Sequence, residues 1–134
     1  MRYLGIDYGL HMGISISDEK NTFAYPVCIL NKKENIIEEL KKIIDEYKVT
    51  HIVMGNPLNL NGSLSDKSQE VLNFAEILKK NFGCEIILID ERLTTVEANK
   101  MLINTKGKKR KKVIDAVSAT IILDSYLDKI SKGG

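Results

Sequence analysis

Tryptophan is absent from this 134-residue chain, and cysteine, proline and histidine occur only twice each. Cys28 and Cys84 lie far apart with no metal-ligand spacing. That excludes a disulfide framework and a thiolate zinc site, and both read as small, reduced core residues. No apolar run approaches the roughly 20 residues a membrane-spanning helix needs. The start, MRYLGIDYG, lacks the basic region, apolar stretch and small-residue cleavage site of a signal peptide. The expectation is a cytoplasmic protein with no membrane partner. Repeats, low-complexity tracts and linkers are missing too, so residues 1–134 read as one domain. Its 43% hydrophobic and 28% charged residues are ordinary for a globular chain.

What is present is unevenly distributed. The net charge is only +2, yet KGKKRKK carries six positive charges in seven positions: Lys106, Lys108, Lys109, Arg110, Lys111 and Lys112. The rest of the chain is therefore mildly acidic, a pattern that steers a polyanion to one place on a surface. Taken alone, such a run is equally well a solvated loop, and its position must decide.

Periodicity orders the elements. Tyr3 to Asp7 begins a strand, DYGLHMG turns, ISIS alternates as a half-buried strand should, and TFAYPVCIL is a third strand in which Pro26 calls for an edge or a bulge. Ile36, Ile37, Leu40, Ile43, Ile44 and Tyr47 recur at helical spacing, predicting an amphipathic helix from Lys32 to Tyr47. HIVMG is a fourth, buried strand. NPLNLNGSLS then leads to a second helix with the stripe Val71, Leu72, Ala75, Leu78 and Phe82, Ser65 as N-cap and Gly83 as stop. EIILID, with Ile86 to Ile89, reads as a strand covered on both faces. A short helix around Val96 to Ile103 and a last one from about Val113 to Lys129 close the chain. The sum is an α/β fold: a five-stranded mixed sheet, an antiparallel three-strand meander plus two parallel strands, with helices on both faces.

Such a sheet lays the ends of strands one, four and five side by side, where ligands bind in parallel sheets. Asp7 ends the first, Gly55 to Pro57 the second, and Asp90 and Glu91 the third. A further acid, Asp115, falls in the first turn of the last helix, where the dipole alone favours it by a few tenths of a kcal/mol. Its small and apolar neighbours, however, turn it to the same side as Ala119 and Ile122, where a carboxylate needs a cation. Carboxylates brought together repel one another unless a divalent cation sits among them, and an oxygen-only set selects Mg²⁺ or Mn²⁺ over Zn²⁺. The chemistry of such a site is phosphodiester hydrolysis. The basic run directly before Asp115 would then hold the phosphate backbone, which favours substrate contact over idle loop.

With these residues in view, the chain resembles the YqgF/RuvX family, described as pre-16S rRNA nucleases and as Holliday-junction-resolvase-like proteins of the RNase H-like fold. The resemblance spans essentially the whole chain and rests on LGIDYG, GNPLNLNG, DERLTTVEA and RKKVIDAVSATIILDSYL, in that order. It implies Asp7, Glu91 and Asp115 as the catalytic, metal-binding acids, in the bacterial cytoplasm. It also implies a nucleic-acid partner, either precursor ribosomal RNA, with 5′-end maturation of 16S rRNA on pre-ribosomal particles as the role, or branched DNA. A monomer or weak homodimer suits this reading. Lys108, Lys109, Arg110, Lys111 and Lys112 are the candidate substrate contacts, joined by Arg92 after Glu91 and by Asn59 and Asn61, which offer amides to a phosphate near a helix start. GLHMG is one residue shorter than the family pattern, so a contact made at that turn would be altered.

Two other classes compete. GIDYG also resembles the first phosphate loop of actin-like kinases, but those need two domains and a second loop, which 134 residues do not supply. A nucleic-acid-binding assembly factor that does not cleave shares every feature above.

Overall fold

The computed structural model describes residues 1–57, 65–90 and 107–133, the last stretch as backbone alone before Val117 and after Ser131. Its elements are β1 (Tyr3–Asp7), β2 (His11–Ser17), β3 (Ala24–Asn31), α1 (Ile36–Tyr47), β4 (His51–Asn56), α2 (Asp66–Phe82), β5 (Glu85–Asp90) and α3 (Gly107–Gly133). The strands form one sheet in the order β3-β2-β1-β4-β5. β1, β2 and β3 pair antiparallel, while β4 and β5 run parallel to β1. This is the mixed sheet expected. Pro26 lies where the β2–β3 register shifts, so the edge strand and the bulge that proline required coincide.

Side-chain alternation splits the core in two. Leu4, Ile6, Ile14, Ile16, Ile52 and Met54 face α1 and α2, meeting Leu40, Ile43, Ile44, Val71, Phe74 and Leu78. The opposite parity, Tyr3, Val53, Ile87 and Ile89, faces α3 and packs on Ile122, Leu123 and Leu127. Burial of the two thiols raises the pKa of Cys28 and Cys84, in keeping with unreactive core residues. Among the described residues no helix is long and apolar enough to cross a membrane.

Several expectations are corrected. The alternation in ISIS does not mark a half-buried strand: Ser15 and Ser17 are fully buried beneath α3. Their small side chains let the helix approach, and their hydroxyls are satisfied. Ser15 Oγ donates to the Ala119 carbonyl at 2.8 Å, and Ser17 Oγ accepts from the Tyr3 N–H at 3.0 Å. α1 starts at Ile36 rather than Lys32. The Glu34 N–H donates to the Asn31 carbonyl, and Asn35 takes a left-handed conformation with φ 47°, so the preceding residues turn instead of coiling. β5 is an edge of the sheet, and its aliphatic residues are only half-buried rather than covered on both faces. α3 begins at Gly107, six residues before the predicted start, so the basic run from Lys108 is helical and Asp115 lies beyond the first turn. The helix expected around Val96 to Ile103 lies outside the described residues.

Candidate functional site

The C-terminal ends of β1, β4 and β5 adjoin, and the position of Asp7 among them follows from how α3 lies on the sheet. Tyr3 packs against Tyr126 with ring centroids 5.7 Å apart and the rings tilted by 51°. Two residues further along β1, a Cβ built on Gly5 would fall 2.8 Å from Leu123 Cβ and 2.9 Å from the Ala119 carbonyl oxygen. Moving up the strand thus means moving back along the helix, so α3 runs antiparallel to β1. Two strand residues rise about 6.6 Å and one helical turn about 5.4 Å, so the two elements stay in step. The next station is Asp7 on β1, in the parity that faces α3, and Asp115 on α3, one turn before Ala119.

The first predicted acid therefore stands at the end of the central strand, half-buried. The third, Asp115, lies on α3 and is described as backbone alone. The second, Glu91, follows the last residue of β5 directly and lies outside the described residues, as do Arg92, Asn59 and Asn61. Lys108, Lys109, Arg110, Lys111 and Lys112 occupy the opening turns of α3. Asp90, opposite Asn56 in the β4–β5 ladder, is exposed. Among the described residues no three His, Cys, Asp or Glu side chains converge on one point, and of the expected acids only the Asp7 side chain is among those residues.

Asn56 was not singled out by sequence reasoning. Its Oδ1 is buried with no hydrogen-bond partner among the described residues, at the end of β4. A buried carbonyl in that state costs about 1–3 kcal/mol. It lies in the parity of Ile52 and Met54, on the sheet face opposite to that of Asp7. The available signal was its place directly after the apolar run HIVMG.

The exit from β4 is anchored to α2. Ser65 Oγ donates to the Pro57 carbonyl at 2.6 Å and accepts from the Ser68 N–H at 3.0 Å, acting as the predicted N-cap, and Ser68 Oγ also donates to Pro57. Replacing Ser65 by Ala removes both links, and a loss of about 1 kcal/mol is expected in a urea melt. An unchanged midpoint would show that Ser68 holds the exit alone.

A family model described as "RuvX: Holliday junction resolvase" matches residues 1–129. The chain belongs to the RuvX family. A relative from Clostridium botulinum (strain Hall), named "Putative pre-16S rRNA nuclease", is 43% identical, the match covering 98% of this chain and all of that one. One of the same name from Clostridium kluyveri is 44% identical over the same shares. Among solved structures, T. thermophilus RuvC in complex with a Holliday junction substrate matches with a TM-score of 0.60 at 12% identity, covering 98% of this chain and 96% of that one. The Fowlpox virus resolvase in complex with Holliday junction DNA matches with a TM-score of 0.60 at 10% identity, covering 97% and 99%. At such identities the likeness is one of fold, and that fold is the resolvase, RNase H-like one.

Proposed function

We propose that this RuvX protein is a divalent-metal-dependent nuclease that hydrolyses phosphodiester bonds, with 5′-end maturation of precursor 16S rRNA as its role, and that residues 1–134 act as a single domain. The observation that supports the reading is the antiparallel register of β1 and α3 at Tyr3–Tyr126 and at Gly5 against Leu123 and Ala119, which, continued by one step, leads to Asp7 on β1 and Asp115 on α3. Glu91 is assigned as the third acid, in the odd-numbered series of Ile87 and Ile89 along the sequence. The clostridial relatives' name supplies the substrate, and their identity over nearly the whole chain supports carrying it over.

The donors at this end of the sheet suit Mg²⁺ or Mn²⁺. β1, β4 and β5 end on the oxygen-bearing side chains of Asp7, Asn56 and Asp90, with the exposed His11 opening the neighbouring β2. Such an ion, when bound, polarises a phosphoryl oxygen and lowers the pKa of an attacking water. The protein's part is to hold it with Asp7, Glu91 and Asp115, and to fix the phosphate chain against them. The basic run suits the second task. Cations in the first turn of a helix oppose its dipole by about 0.3–1 kcal/mol each, and the first turn of α3 holds no acid. Both the cations and the amide end of the helix attract the same thing, a polyanion.

The test is incubation of the purified protein with labelled precursor 16S rRNA ends and, in parallel, a four-way DNA junction, with Mg²⁺, Mn²⁺ or EDTA. Metal-dependent cutting of the RNA supports the reading. Preference for the junction would make the protein a resolvase, and binding without cutting of either would make it an assembly factor. Replacing Lys108, Lys109, Arg110 and Lys111 together by Ala should lower the slope of log affinity against log salt by about 3–4. An unchanged slope would remove the segment from the substrate site.

A further inference from the structure

The turn that follows Asp7 borders a second basic cluster, on the opposite face of the sheet from α3. A concavity of about 440 Å³ is lined by Tyr8, Gly9, Leu10, Lys32, Lys33, Lys67 and Glu70. Three lysines from two distant parts of the chain, the residues just after β3 and the first turn of α2, meet there against one glutamate. Tyr8 is buried on the α1–α2 side, its ring 5.1 Å from that of Phe74. The Lys32 ammonium sits 4.9 Å from the Tyr8 ring centroid and 3.7 Å from Glu70 Oε1. The Tyr8 side chain beneath it is the largest influence and raises the Lys32 pKa; burial opposes this, and the Glu70 carboxylate adds a smaller raising effect. The Lys32 N–H also donates to the Leu10 carbonyl at 2.9 Å, tying the turn to the end of β3. At Gly9, an added Cβ would lie 3.9 Å from Lys67 Nζ, so the floor of the concavity is bare backbone beside a cation.

Resting on the nuclease reading above, we propose that Lys32, Lys33 and Lys67 bind the sugar–phosphate backbone of the polynucleotide on the far side of the reacting bond from the α3 basic run. The Lys32 ammonium is tied to the end of β1 through Tyr8, the residue next to Asp7 in the chain. Lys32 is held on a buried ring rather than left to wander, which lowers the entropy lost on contact with a phosphate. α3 packs on one face of the sheet and the Lys32 cluster borders the other, with Asp7 at the end of β1, so a strand that touches both the cluster and the opening turns of α3 would run past the end of β1. Contacts of this kind are sequence-independent and appear as counterion release.

The experiment measures affinity by anisotropy for a labelled RNA hairpin with a 5′ single-stranded extension, in EDTA, over a series of salt concentrations. The double variant Lys32→Ala/Lys67→Ala should lower the salt slope by about 2 and weaken binding at low salt by at least about tenfold. Lys67→Ala alone leaves Lys32 on its ring and should lower the slope by about 1. Lys41→Ala/Lys80→Ala, which removes the same charge from elsewhere, should leave the slope unchanged. Thermal melts of all variants guard against misfolding. If the wild type binds and cleaves while the Lys32 and Lys67 variants keep its slope and affinity, this contact is wrong and the nuclease reading stands. If the wild type shows no salt-dependent binding, both fall.

Discussion

Asp7→Asn should lower metal-dependent cleavage by roughly a hundred- to a thousandfold, the scale seen when one charge-stabilising group is removed from an active site. Binding should be retained or strengthened, because the substitution removes a negative charge from the place where the proposed mechanism brings a phosphate. The fold should tolerate it: Asp7 is the last residue of β1, half-buried, and Asn keeps its shape and an acceptor oxygen. Measured beside the wild type with Mg²⁺, Mn²⁺ and EDTA, the variant separates two classes of protein. A nuclease loses cutting and keeps binding. A variant that cuts at the wild-type rate would mean that Asp7 holds nothing of consequence, and the placement of the site would have to be abandoned.

Gly5→Ala has the second largest expected effect, and it acts at a distance. The added Cβ would collide with Ser15 Oγ and fall 2.8 Å from Leu123 Cβ and 2.9 Å from the Ala119 carbonyl oxygen. Ser15 Oγ cannot move without giving up its hydrogen bond to that same carbonyl. The helix must therefore lift from the sheet, and overpacking of this kind costs about 1–3 kcal/mol. Because Asp115 lies one turn along the lifted helix, its backbone shifts relative to Asp7. A misplacement of about 1 Å in a catalytic constellation costs on the order of a hundredfold in rate. The expected result is a folded protein with a lowered melting temperature whose cleavage falls further than its stability explains. Wild-type cleavage in a destabilised variant would show that the Asp7–Asp115 spacing is not critical.

Much of this was legible in one dimension. Wherever a signal is local and repeats, the sequence by itself determined the outcome. The stripe Leu40, Ile43 and Ile44 made α1 amphipathic, Ser65 and Gly83 bounded α2, Pro26 marked the bulged edge, and HIVMG was buried as an aliphatic run must be. The order of these elements also set the mixed sheet, because parallel strands joined by helices have few ways to close.

What only the tertiary structure decided is which face meets which. Ser15 and Ser17 read as an exposed face because hydroxyls are usually wet, yet α3 covers them, and only a helix arriving from far along the chain could supply Ser15 with its Ala119 partner. β5 read as covered on both faces, but a strand's exposure depends on its place in the sheet, which an aliphatic run does not encode. The start of α3 was missed because six cations in seven residues contradict helix-terminus electrostatics, a local penalty that a polyanion partner would reverse. The lysines around Tyr8 carry no local signal at all. Lys32, Lys33 and Lys67 are ordinary surface residues in sequence and become a cluster only when β3 and α2 are brought to the turn after Asp7. Local periodicity determined the elements, whereas long-range packing decided which residues stand beside Asp7, because a side chain's neighbours across the fold leave no spacing of their own in the chain.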